Sequence, residues 1–267
     1  MTNRTQIHEA LERVDDERDH VTSELAAFDR FDDGVRDVEP VVRTDRWATS
    51  PSGGGGTVLT ASTTRELAGS DATARVRELF AETVRPYSTA DIDEPESLVA
   101  TMAEELGESV AAALSPSTAG QFTPEVNAAI HSAVDRRRAE LRLMDRALET
   151  ETASLTAALE QLEPVLEGVT TVCESSVLEF GFEALREHHD RLETHRDRCG
   201  SVSRERQDLF SRTTGHGVTA GLSHRSLVQY LYRESSTTYP VLSTAVRLDR
   251  SCTERQRLVR DHLTRRV

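Results

Sequence analysis

The residues best equipped for chemistry cluster in one short stretch: His188, His189, His195 and Cys199. On a helix, His195 and Cys199 stand i,i+4, so both could reach one metal ion, and His188 lies nearly two turns upstream on a similar face. Two ligands from one helix need others from elsewhere, and Cys252 and His262 are the candidates. No CxxC, no HExxH and no Glu-x-x-His pair accompanies them, and histidines on a charged helix are commonly solvated. His188, His195 and Cys199 thus remain candidates without a supporting motif, and the expectation is no metal and no cofactor.

Two other stretches invite functional readings. Arg136-Arg137-Arg138, with Arg142 and Arg146, forms a basic segment that could meet phosphate or an acidic partner. The plainer expectation is pairing with acids on a neighbouring helix. Gly53 to Gly56 form a glycine run, but no lysine follows and no strand–loop–helix context frames it, so a phosphate loop is excluded in favour of a linker. No G-x-S-x-G elbow is present to hold a nucleophilic serine. No catalytic residue is assigned, and the chain is expected not to be an enzyme.

The elements that carry these residues are helices. Thr123-Pro124 is a helix start, with a hydroxyl to cap and a proline at the first helical position. From there Val134, Leu141, Leu148, Leu155 and Leu162 recur every seven residues, with Ile130, Met144, Ala158 and Leu159 between them. A strict seven-residue repeat keeps one apolar seam facing a partner helix. Arg137 and Glu151 interrupt that seam. Pro164 and Gly168 predict a break, after which Leu178, Leu185, Leu192 and Cys199 resume the spacing, joined by Phe182, Val202, Leu209 and Phe210. The stretch 123–212 reads as a helical hairpin.

Around it, residues 3–37 carry Ile7, Val14, Val21 and Phe28 at the same spacing. Residues 39–71, rich in Pro, Ser and Gly, predict a flexible loop, with Val41-Val42 and Thr57-Val58-Leu59 as short strand candidates. Two short helices are expected in 72–114, the first stopped by Pro86 and the second opened by Pro95. The second carries four glutamates and no arginine, unlike a helix that reads DNA. Gly215-His216-Gly217 marks another joint, and 223–266 supplies a helix capped by Ser223 and a last helix from Pro240. The predicted architecture is all-α: an elongated antiparallel bundle built on a coiled-coil hairpin, in one domain, with 72–114 as capping helices.

Composition agrees. The chain has 267 residues, 4% aromatics and a net charge of −14, and all 32 basic side chains are arginine. Such an acid excess points to a source adapted to extreme salt. A GC-rich genome also replaces lysine by arginine, but does not call for the acids. In strong salt, net charge says little about nucleic-acid partners, which are therefore unfavoured but not excluded. Cys173, Cys199 and Cys252 are odd in number and widely spaced, as expected of reduced, buried thiols in the cytoplasm. No run reaches the length of a membrane span, and no apolar signal core opens the chain.

These pieces together resemble a known family. The charged N-terminal helix and Gly-rich loop precede RVRELFAETV (75–84), FTPEV (122–126), FGFEAL (180–185) and YLY…YPVL (230–242). The set resembles haloarchaeal proteins carrying a domain of unknown function, over nearly the whole chain. The resemblance implies a halophilic, cytoplasmic protein, and it transfers no activity or site residue. The expected role is a scaffold that binds a protein partner, or itself, through its heptad seams. A nucleic-acid-associated regulator and a metal-binding bundle are the alternatives.

Overall fold

The computed structural model of the chain describes residues 4–41, 59–88, 97–118, 121–174, 180–216 and 223–265, with backbone alone at 59–70, 171–174, 212–216 and 265. Among the described residues the fold is all-α, without a strand. In chain order the helices are α1 (Gln6–Arg36), α2 (Leu59–Thr83), α3 (Arg85–Ser88), α4 (Leu98–Leu106) and α5 (Glu108–Leu114). They continue with α6 (Pro124–Glu174), α7 (Phe182–His216), α8 (His224–Leu231) and α9 (Pro240–Arg265). Their packing forms two compact units, Met1–Arg18 with Arg146–Val267, and Asp19–Asp145. Helices α1 and α6 supply residues to both.

In the unit Asp19–Asp145, α1 buries Phe28, Phe31 and Val35, and Phe80 of α2 meets Phe31 edge-on at 5.6 Å. Gly34 permits this approach: a Cβ there would come 2.9 Å from Leu79 Cδ2. Helix α6 contributes Ile130, Val134 and Leu141, all buried. The expected single helix over 95–114 is divided at Gly107, whose φ of 93° suits glycine and ends α4 with an N–H to the Ala103 carbonyl. Ser97 caps α4 by accepting from the Ala100 N–H. Pro95 lies outside the described residues.

In the unit Met1–Arg18 with Arg146–Val267, Leu148, Leu155, Leu162 and Val165 continue the α6 seam, each no more than 2% exposed. Helix α7 packs along α9 in antiparallel sense, Arg196 reaching both Asp249 (3.1 Å) and Gln256 (3.2 Å). Gln256 in turn donates to the His189 carbonyl at 3.3 Å. Phe182, expected on the α7 stripe, is instead 50% exposed.

Several expectations change. The break at Pro164–Gly168 does not occur, because α6 runs unbroken to Glu174. A helical proline costs about 3 kcal/mol, but Leu162 and Val165 on either side of it are buried, each worth ~1.5–3 kcal/mol. Pro164 itself is exposed, and so is Glu160, whose carbonyl loses its donor and can take one from water. In 39–71, α2 begins at Leu59, so the later part of the expected loop is helical and Leu59 is no strand residue. Val41 lies in no regular element and donates its N–H to the Phe122 carbonyl at 2.7 Å. Val42, Thr57, Val58 and the glycine run lie outside the described residues, as do Leu178 and Gly217.

Pro164→Ala restores the N–H to a helix turn that is already formed. It is expected to stabilise the protein by about 1–3 kcal/mol, read as a higher midpoint in urea unfolding. A lower midpoint would mean that burial of Leu162 and Val165 needs the proline's local geometry.

Candidate functional site

The two residues that interrupt the α6 seam are where the polar chemistry gathers. Glu151 has no exposed surface. Its Oε1 accepts from Arg206 Nη2 on α7 at 2.6 Å and from the Tyr232 hydroxyl, just past α8, at 2.8 Å. Its Oε2 lies 2.8 Å from His224 Nε2 at the start of α8. That last contact is short but off-line, a close polar contact rather than a good hydrogen bond. Arg206, 3% exposed, also donates Nη1 to Ser154 Oγ at 2.7 Å and lies 4.8 Å over the Phe210 ring. One carboxylate thus ties α6, α7, α8 and the turn after α8.

The electrostatics follow from these contacts. Burial alone would raise the Glu151 carboxyl, but the close His224 ring nitrogen, the Arg206 hydrogen bond and the Arg206 charge outweigh it and hold it at about 2. Burial, with the Glu151 charge beside it, pushes the Tyr232 phenol far above its ordinary range. Glu151 is therefore a buried carboxylate whose Oε1 is held by Arg206 and Tyr232. The arrangement is a clamp.

Arg137 is the counterpart in the other unit. It donates to Glu24 Oε1 on α1 at 2.8 Å and lies 2.8 Å from Glu105 Oε2 on α4. One residue on, Arg138 donates to Asp32 Oδ2 at 3.0 Å and contacts Asp29 at 2.7 Å. Asp32, 1% exposed, meets His131 Nδ1 at 2.6 Å. Burial would raise the Asp32 carboxyl, yet the hydrogen bonds from His131 and Arg138 prevail and lower it. At Glu105 burial prevails over the Arg137 charge, and the carboxyl is raised. The centre of the arginine run is thus engaged by α1 and α4, rather than by the nearby acids of its own helix alone.

The metal-ligand candidates do not converge. His188 packs its ring on Phe180, 4.8 Å between centroids, and takes an N–H from Arg191 at 3.1 Å. Burial and that neighbouring arginine lower its basicity. His195 lies over Gly168 of α6, where a Cβ would come 2.5 Å from Nε2, and burial with Arg198 and Arg191 lowers it too. Cys199 is buried beside Cys252 and Asp249 of α9. Among the described residues, no group of three or more ligand atoms close enough to share an ion includes His188, His195 or Cys199. Among the described residues, the three groups whose ligand atoms lie within 4.8 Å of one another are His189, Asp190 and Glu193. The two acids there are exposed, and such acids commonly stand without a metal.

Arg206 was within reach of the sequence. It stands seven residues after Cys199 and continues the α7 seam, opposite the seam charge of α6. Glu24 likewise stands seven residues before the buried Phe31. Asp32, His131, His224 and Tyr232 carry no comparable signal, because their partners are fixed only by the packing.

Glu151 sets an acid limit. Its folded carboxyl, at about 2, lies below the ordinary 4.5, so its contribution is complete above pH 4.5 and lost as pH falls toward 2. The difference is on the order of 3 kcal/mol. Glu151→Gln should destabilise the protein at pH 7 by roughly 3–5 kcal/mol, leaving Arg206 buried without its counter-ion. It should also flatten the dependence of unfolding free energy on pH between 5 and 2, measured by urea titrations. An unchanged slope would remove Glu151 from the acid response.

The thiols give a second expectation. Burial pushes Cys199 up to about 12 and Cys252 up to about 11, and both are free and buried. Alkylation at pH 8 followed by peptide mass mapping should find both unmodified in the native protein and modified in urea. Rapid native labelling of either would place it at the surface. Cys173 has no described side chain.

No curated protein and no solved structure matches the chain. The profile of a domain of unknown function, DUF7260, matches residues 5–256, and the chain belongs to that family.

Proposed function

We propose that this chain is a non-catalytic helical scaffold, a protein-interaction component of the cytoplasm of a salt-adapted archaeon. The observation that carries the reading is the fate of the chemically capable side chains. Glu151, Arg206, His224 and Tyr232 are bound to one another, and so are Arg137, Arg138, Glu24 and Asp32. Groups committed in this way hold helices in register, and what the protein offers to others is its helix surfaces. The absence of lysine and the 46 acidic residues support the salt-adapted source. The free thiols of Cys199 and Cys252 suit a reducing compartment. Among the described residues no helix is long and apolar enough to cross a membrane.

Two other readings receive less support. A nucleic-acid role needs free basic side chains, and two of the five arginines of the run, Arg137 and Arg138, are engaged internally while Arg136, Arg142 and Arg146 are exposed. A metal role needs converging ligands, and His188, His195 and Cys199 point to different neighbours.

Affinity purification of the tagged protein from a halophilic host, in the host's own salt, should recover one protein partner at constant stoichiometry, or sedimentation should show a stable self-associated form. A monomer with no co-purifying protein would overturn the scaffold reading. Co-purifying nucleic acid, seen by its absorbance and removed by nuclease, would replace it with the regulatory one.

A further inference from the structure

A cavity of about 300 Å³ opens between α6, α7 and the first turn of α9, beside the Glu151 clamp, with Ser154 and Arg206 of the clamp in its wall. We propose that it is a binding site for a small aliphatic amine. Its volume is roughly ten times the ~30 Å³ that one water occupies in the liquid, and it lies at the lower end of the range of small-molecule pockets. Much of its wall is apolar: Ala157 and Ala158 on α6, Val202 on α7 and Val241 on α9. The two alanines leave the space open, since larger side chains there would fill it.

Charge selects the ligand. Arg206 reaches the cavity wall, but its guanidinium is already held by Glu151 at 2.6 Å and by Ser154 at 2.7 Å. It therefore adds little net positive potential. Glu205 and Asp208 also line the cavity and are exposed. Glu205 accepts from the Gln161 amide at 2.9 Å, which leaves its charge in place. An anion would face two carboxylates and a neutralised arginine. An alkylammonium ion can set its charge between the carboxylates and its chain against the alanines and valines. A neutral molecule of the same size gains only the second contact. This inference is independent of the scaffold reading, which stands or falls on partners.

The test uses the full chain with n-butylammonium and neutral 1-butanol, followed by ligand-observed NMR titration at the lowest salt that keeps the circular dichroism of the folded protein. Butylammonium should bind saturably and at least ~10-fold tighter than 1-butanol. Asp208→Asn should remove most of that preference while leaving 1-butanol unchanged. Ala157→Leu, at an exposed position that tolerates bulk, should abolish binding of both with the helical signal intact. Three results would overturn the proposal: no saturable binding of butylammonium, equal binding of the two probes, or butylammonium binding that survives Ala157→Leu.

Discussion

A buried charge needs an opposite charge brought to it, and much of this architecture answers that requirement. Glu151 has no solvent exposure, and an unpaired carboxylate in such a place costs several kcal/mol after relaxation. That is comparable with much of the 5–15 kcal/mol by which a typical domain is stable. Arg206 must therefore meet it, which fixes how α7 lies along α6. His224 and Tyr232 then anchor both ends of α8 to the same carboxylate. In the other unit Arg137 imposes the same condition on α1 and α4 through Glu24 and Glu105.

How far this could be read from the sequence depends on whether the signal is local. The seam of Val134, Leu141, Leu148, Leu155 and Leu162 is buried throughout, and the starts at Pro124, Ser223 and Pro240 hold. Periodicity and capping are properties of neighbouring residues, so these were legible. Pro164 and Gly168 look like a break for the same local reason, yet burial on both sides of the proline overrides it. Gly107 looks like an ordinary helical residue and is the true break. Glycine serves a sharp turn at one place and lies beneath a histidine ring at the other, and the letter alone does not distinguish them.

The metal candidates show the same limit. The i,i+4 spacing places His195 and Cys199 within about 40° of each other around the helix. That rule fixes their relation to α7 but not to the helices packed against it. With α6 on one side and α9 on the other, 40° is enough to send His195 over Gly168 and Cys199 to Cys252. A shared face of one helix became contacts with two different helices.

The clamp adds something that apolar packing cannot supply. A buried ion pair is seldom more stable than well-packed apolar side chains of the same volume. Its advantage here is discrimination. With apolar residues every seven positions on both helices (Leu148, Leu155 and Leu162 on α6; Leu185, Leu192 and Cys199 on α7), sliding one helix by a heptad still matches apolar to apolar over much of the seam. Such a slide would move Glu151 from Arg206 to Cys199 or Thr213, and Arg206 from Glu151 to Met144 or Ala158. Each charge would lose its partner, and ~4 kcal/mol of such cost corresponds to about a thousandfold in population. The two polar interruptions of the seam are therefore what select one register among several that the repeat allows.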